Sequence, residues 1–402
     1  MIDWFYTQFG FSIVLMVVFF GGILSAAGFC TLLERKVAAW LQDRIGPNRA
    51  GPGGLLQPLA DGMKFMVKEE IVPAGADRPV FILAPMLALG VALLGFAVIP
   101  WGGLYQPPGG GEMLKVQVAS VDIGLLYVLA VGAMGVYGVV LGSWASNNKY
   151  SFYGGMRAAA QMLSYEVPMG LAILVVVLTV GELRLENIVT AQTGLWWGWL
   201  PQWNIFLHPV TFIVLFTTAL AETNRAPFDL AECEQELVGG FHTEYSSMKW
   251  AMFFLGEYSH MITASAFITV LFLGGWHLPG IGVVQGSLWG VLLQMFVMFA
   301  KIGGCIFVFM WIRWTLPRFR FDQVMRLCWI GLVPLMLCQV MMACVVLYRG
   351  GQQTVWALVG ELGVVVLFGI VFSFRTSAIS GRQRHLMPVR QSSRRASLVE
   401  PV

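Results

Sequence analysis

From Trp4 to Leu33 the chain carries no charged side chain. About 20 consecutive apolar residues suffice to cross the hydrocarbon core of a bilayer, so this one segment already points away from the soluble classes. The pattern recurs in nine apolar windows, roughly 11–33, 80–100, 123–144, 158–180, 205–221, 251–273, 288–312, 327–347 and 355–374. Charges are gathered between them and make up 12% of the residues, against about 25% in ordinary soluble chains. The expected fold is an all-α polytopic membrane protein with about nine transmembrane helices plus one amphipathic interfacial helix. Residues 1–374 read as a single transmembrane domain. Residues 375–402 read as a basic, Ser-rich, disordered tail. The N-terminus lacks the basic region of a cleavable signal, and its apolar stretch is too long for a signal core.

Loop charges predict orientation, because Lys and Arg near helix ends stay on the cytoplasmic side. Of the 25 Lys and Arg, 21 fall in alternate loops and the tail. Lys115, Arg184 and Arg349 mark the opposite face, and Lys301 lies inside the seventh window. This places the N-terminus outside and the C-terminus in the cytoplasm, in agreement with an odd number of spans. The net charge of +3 therefore reports topology and carries no nucleic-acid signal. The six cysteines are scattered without a CxxC pair and read as packing residues rather than metal ligands. The outer loops are rich in Gly, Pro and Trp, which suits the bilayer interface. No internal repeat is visible, which counts against a transporter built from repeated halves.

The cytoplasmic face concentrates the chemistry. In the first inner loop Leu56, Leu59, Met63 and Met66 recur at steps of three or four, while Asp61, Lys64 and Lys68 share another face. This predicts a short amphipathic helix lying in the interface. It serves either as a surface stop between two spans or as a lid over a mouth for a lipid-like substrate. The third inner loop holds Glu222, Asp229, Glu232, Glu234, Glu236 and Glu244 against Arg225 alone. It is either a solvated acidic loop or a set of coupled carboxylates that take up and pass on protons.

Glu166, Glu257 and Lys301 fall inside apolar windows. Charges at such depth cost at least about 2.5 kcal/mol and face the bundle interior or water, so together with the acidic loop they suggest a hydrophilic path. Glu257 and His260 are spaced to share a helix face. Glu361, near an outer end, reads as a residue that reaches water.

Four stretches closely resemble the membrane subunit of respiratory complex I that forms the quinone chamber, the H subunit in bacteria and the first subunit in mitochondria. They are ERKVAAWLQDRIGPNRAGPGGLLQPLADGMKFMVKEE (34–70), GSWASNNKYSFYGGMRAAAQMLSYEVP (142–168), AETNRAPFDLAECEQELVGGFHTEYSSMKWAMFFLGEY (221–258) and WIRWTLPRFRFDQVM (311–325). The resemblance covers about residues 10–348, leaving the window at 355–374 as an extra helix.

It implies a subunit of a proton-translocating NADH–quinone oxidoreductase, inactive as an isolated chain, and the basic tail favours a bacterial inner membrane over a mitochondrial one. Quinone is then the substrate, no cofactor is held by this chain, and FMN and iron–sulfur clusters belong to partner subunits. Its partners are the peripheral quinone-module subunits, the neighbouring membrane subunits and lipid. Carried over by position, Glu34, Arg35, Arg44, Asp61, Lys64, Phe228 and Arg313 belong to the quinone tunnel. Arg157, Glu166, Glu222, Arg225, Asp229, Glu232, Glu234, Glu236 and Glu257 belong to the proton path, with Glu166, Glu222 and Glu257 as carriers. Arg35, Arg44 and Arg313 are expected to pair with carboxylates.

Three other readings stay open: the related anchor subunit of a membrane-bound hydrogenase or similar dehydrogenase, an independent ion transporter, and a purely structural anchor.

Overall fold

The computed structural model describes residues 7–107, 113–196, 198, 200–279, 286–350 and 357–369. The predicted tail and the ends of the ninth window lie outside them.

The first helix, α1 (Gln8–Leu41), starts where the Thr7 hydroxyl accepts the Gly10 N–H at 3.3 Å. It runs on past the apolar window to carry Glu34, Arg35 and Lys36. The chain then turns through a single 3-10 turn, Pro52–Gly54. At Gly54, φ is +86° and a Cβ would stand 2.2 Å from the Pro47 carbonyl oxygen, so only glycine fits there. The amphipathic helix α2 (Gln57–Val67) follows, with Pro58 in its first turn, where a missing N–H costs little.

Helices α3 (Arg78–Leu94), α4 (Gly124–Ala145) and α5 (Lys149–Val180) follow, with a short antiparallel pair, β1 (Leu104–Tyr105) and β2 (Leu114–Lys115), between the first two. Asn148 caps α5 by accepting the Tyr150 N–H at 2.9 Å, and Gly181 closes it at φ +79°. Beyond α6 (Leu185–Ala191) and the pair β3 (Leu195–Trp196) and β4 (Leu200–Pro201), the chain makes one turn, α7 (Asn204–Leu207), and then α8 (Pro209–Glu222). The window at 205–221 predicts one uninterrupted span, but Pro209 has no N–H to continue a helix, so the span is broken at His208. A single turn, α9 (Glu234–Leu237), precedes α10 (Ser247–Phe272) and α11 (Leu288–Thr315). The eighth window joins α12 (Phe321–Arg326), π-helical turns at Leu327–Leu332 and α13 (Val333–Tyr348) into one 28-residue rod. The described part of the ninth window is α14 (Ala357–Gly369).

Among the described residues, six helices are long and apolar enough to cross a membrane: α1, α3 with its 3-10 extension to Val98, α4, α5, α11 and the Phe321–Tyr348 rod. The chain is a multi-pass all-α membrane protein.

The two central helices are α5, packed on α4, α8 and α13, and α10, packed on α1, α3 and α11. Hydropathy understates α10, because buried Thr263, Ser265 and Thr269 return their hydroxyls to carbonyls one turn back at 2.8–3.0 Å, which satisfies them within the helix. Small residues bring α3, α4 and α5 together. A Cβ on Gly155 of α5 would lie 1.8 Å from Ser143 Oγ, and one on Gly138 of α4 would lie 2.9 Å from Ala88 of α3.

Candidate functional site

Glu34, near the end of α1, is buried and gathers three partners from distant segments. The Tyr258 hydroxyl of α10 donates to Oε2 at 2.7 Å. The Arg313 guanidinium of α11 stands 2.5 Å from Oε1, and Arg225 comes within 3.6 Å of Oε2.

Arg225 lies in the turn after α8, its guanidinium 4.1 Å above the Tyr258 ring and 3.8 Å from Glu257. Burial works against its charge, but Tyr258, Glu34 and Glu257 outweigh it and hold the group above its ordinary range. A guanidinium stays charged even when buried, and the carboxylates on either side offset the cost of taking it out of water.

That turn is fixed from α5. Gln161, wholly buried, donates to the carbonyls of Ala221 at 2.7 Å and Phe228 at 2.8 Å. The last residue of α8, Glu222, faces His260 Nε2 at 3.3 Å. Glu166 of α5 lies within electrostatic reach of Glu222, and Gly132 of α4 leaves room for it, since a Cβ there would stand 3.0 Å from Glu222 Oε1.

The acidic loop is not a knot of mutually repelling charges. Asp229 pairs with Arg318 at 2.5 Å, Glu232 faces His242 at 3.8 Å, and Glu236 pairs with Arg157 at 2.6 Å. Glu244 accepts from Asn148 at 2.5 Å. Glu234 falls in α9 with its side chain outside the described residues. Burial pushes the Asp229 carboxyl up to about 6; Glu232 adds to the push, while Arg318 and Arg313 pull the other way. Arg318 is held above its ordinary range because Asp229 and Cys233 outweigh its partial burial.

Two cavities meet at this string of charges. One, of about 60 Å³, is lined by Asn224, Glu257, Phe241, Phe253 and Met162. The other, of about 40 Å³, is lined by Met169, Leu215, Ala219 and Phe267. Glu222 and His260 border both. Among the described residues, polar atoms of Glu166, Arg225, Asp229 and Glu257 are buried here without a hydrogen-bond partner.

On the neighbouring surface, Arg35 of α1 pairs with Asp61 of α2 at 2.9 Å, and Lys64 stands 3.8 Å from the same carboxylate. No residue of α2 is fully buried, and Leu59, Met63 and Met66 are exposed, as a helix lying in the interface requires. Arg44 departs from its expected pairing. It is exposed and bonds the Gln42 side-chain oxygen at 2.7 Å, with no carboxylate partner among the described residues. Phe228 is packed between the rings of Tyr165 and Phe319.

Two in-span charges also differ from their sequence reading. Lys301 donates to the carbonyls of Leu273, Gly275 and His277 at 2.6–2.8 Å, all just beyond α10. Glu361, expected to reach water, is 2% exposed and accepts from the first N–H groups of α8. Tyr258, Gln161 and Arg318 carry no sequence signal of their own, since each acts through a partner at least 60 residues away.

A family model described as NADH dehydrogenase matches residues 12–346. The chain belongs to this family. It is 48% identical over 330 residues to the first of the H subunits of NADH-quinone oxidoreductase in Cytophaga hutchinsonii, covering 81% of this chain and 94% of that protein. It is 47% identical over 347 residues to the corresponding H subunit of Flavobacterium psychrophilum, covering 84% and 97% respectively. The H subunit of Rhodospirillum centenum is 48% identical over 330 residues, with 81% and 90% covered. Family membership spans the whole charged string from Glu34 to Arg318, whereas α14 lies past the matched region.

Proposed function

We propose that this chain is the quinone-chamber membrane subunit of an NADH–quinone oxidoreductase, and that its buried charges link that chamber to proton movement. The observation that carries the reading is the string Glu34–Arg225–Glu257, continued by the Glu222–His260 pair with Glu166 beside it. These residues are drawn from α1, α5, α8, α10 and the turn after α8. An anchor would not need ionisable groups at this depth, given what their burial costs. An independent transporter is disfavoured by the family of the chain.

In this reading α2 flanks the mouth through which the quinone tail enters from lipid. The loop from Arg225 to Glu236 then meets the peripheral subunits, which hold the FMN and iron–sulfur clusters. Glu34, Arg35, Arg44, Asp61, Lys64, Phe228 and Arg313 form or support the tunnel. The positive loops favour a cytoplasmic C-terminus.

Reduction of quinone consumes two protons and changes the charge beside Glu232. The Glu232 carboxyl lies within electrostatic reach of Glu257, so a change of charge beside one is felt at the other. From Glu257 the unpartnered polar atoms and the two cavities suit a short chain of water leading to His260, Glu222 and Glu166.

The test is Glu222→Gln and Glu257→Gln in the assembled complex. Quinone-dependent NADH oxidation and proton translocation should fall at least tenfold, with NADH oxidation by ferricyanide unchanged. Coupled turnover at wild-type rate in either variant refutes the carrier roles. Purification by a tag on this chain decides the donor: flavin and iron–sulfur subunits support the reading, and a nickel–iron hydrogenase overturns it.

A further inference from the structure

The helices that carry the central carboxylates are both held at their far ends by a charge supplied from another helix. Helix α8, which ends at Glu222, has 14 residues, about 21 Å at 1.5 Å per residue against a hydrocarbon core of about 30 Å. Its first N–H groups are therefore buried, and an unsatisfied backbone group in such a place costs several kcal/mol. The residue before it, His208, makes no side-chain cap.

Glu361 of α14 fills that role across 150 residues of sequence. It accepts from Val210 N at 3.1 Å, from Thr211 N at 3.2 Å and from the Thr211 hydroxyl, with His208 Nδ1 3.4 Å away. Gln339 of α13 donates to the Glu361 carbonyl at 3.2 Å and so fixes α14 in turn.

Helix α10, which carries Glu257 and His260, is treated in the opposite sense. Lys301 of α11 donates to three carbonyls at its exit and lies 4.6 Å from the centre of the Trp203 ring. An anion at the start of one helix and a cation at the end of the other both match the helix dipole.

We propose that Glu361 and Lys301 are positioning residues that set the axial placement of α8 and α10, and with it the spacing of Glu222, His260 and Glu257, which lie about 20 Å away along helices that rise 1.5 Å per residue. Glu361 and Lys301 carry no translocated proton themselves. The accessory helix α14, outside the region matched by the family, therefore works as a clamp on α8. This rests on the carrier roles proposed above for Glu222 and Glu257.

The groups facing those carriers come from every side: His260 and Glu166 for Glu222, and Arg225, Glu232 and Asp229 for Glu257. A slip of either helix changes these distances first, so the pH profile of quinone reduction reports it.

The experiment uses the assembled complex in membrane vesicles with Glu361→Gln, Glu361→Leu, Lys301→Gln and Lys301→Met. Gln at 361 keeps an acceptor for the α8 N–H groups, and Gln at 301 keeps a donor. Both should retain at least half of the quinone-dependent rate with an unmoved pH profile. The Leu and Met variants should lose at least fivefold in kcat and shift the profile by half a pH unit or more. Their KM for quinone and their ferricyanide activity should stay unchanged.

If Glu361→Gln is as damaging as Glu361→Leu, acceptance from the first α8 N–H groups is not what the residue supplies, and the positioning role is wrong. An assembled Leu variant with an unmoved profile also overturns it. Where the Leu variant fails to assemble, Thr211→Val decides. It removes one donor to Glu361 and should shift the profile measurably, and no shift overturns the proposal. Glu222→Gln, measured in parallel, separates the two levels. If it leaves coupling intact the carrier reading fails, and if it abolishes coupling while the 361 and 301 series leave the profile unmoved, only the clamp fails.

Discussion

Asp229 offers the sharpest handle on the acidic loop that follows α8. Its carboxyl, 6% exposed, is pushed by burial from an ordinary 3.8 up to about 6, even with Arg318 at 2.5 Å. The folded state therefore holds a proton between pH 3.8 and 6 that the unfolded chain has released. Stability from this group is intact at low pH and declines as pH rises through about 6, by about 3 kcal/mol in total.

Arg318→Leu removes the opposing cation. A guanidinium beside an Asp typically lowers its pKa by roughly one to three pH units, so its loss should move the titration from about 6 to at least 7. The assay is the pH dependence of NADH–quinone activity in vesicles between pH 5 and 8.5. Wild type should show an inflection near 6, Arg318→Leu should carry it to 7 or above, and Asp229→Asn should remove it. An inflection that stays near 6 in both variants refutes the assignment, because a different group must then be its source.

Three further outcomes follow from the geometry. Gly132→Ala places a Cβ 3.0 Å from Glu222 Oε1; the complex should assemble normally, with quinone-dependent turnover reduced severalfold at unchanged ferricyanide activity. Glu34→Gln leaves Arg225 and Arg313 without their shared carboxylate, and breaking a buried pair costs about 3–5 kcal/mol, so thermal unfolding of the complex should show a lowered midpoint for this chain. Gly155→Ala forces a Cβ to within 1.8 Å of Ser143 Oγ; overpacking of this kind costs about 1–3 kcal/mol and should lower assembly yield, with Ser143→Gly in the same chain restoring it.

The spans and α2 were legible because both rest on local periodicity. The apolar windows need no partner to be recognised, and Leu59, Met63 and Met66 mark a face by spacing alone. Depth in a window also singled out Glu166 and Glu257. Pairings were not legible, because Glu34 meets Arg225, Tyr258 and Arg313 only after α1, α8, α10 and α11 have packed.

Lys301 and Glu361 show the opposite difficulty. A charge inside an apolar window reads as part of a path, yet the same charge is equally suited to a buried helix end, and only the position of that end distinguishes the two. Pro209 announced the broken span in plain view, but averaging hydropathy over the window conceals it. The cations that balance the acidic loop, Arg157 and Arg318, come from α5 and from the turn after α11, so the loop looked unbalanced when read alone.

The web around Glu34 also sets an order of events during biogenesis. A chain threaded into the membrane from its N-terminus delivers this carboxylate long before Arg225, before Tyr258, which lies 224 residues further on, and before Arg313, which comes later still. Through most of synthesis the first helix must therefore keep its charged end at the aqueous boundary. The 2.5 Å contact with Arg313 forms only after α11 has entered, so the web around this carboxylate closes late, when most of the polypeptide has been made.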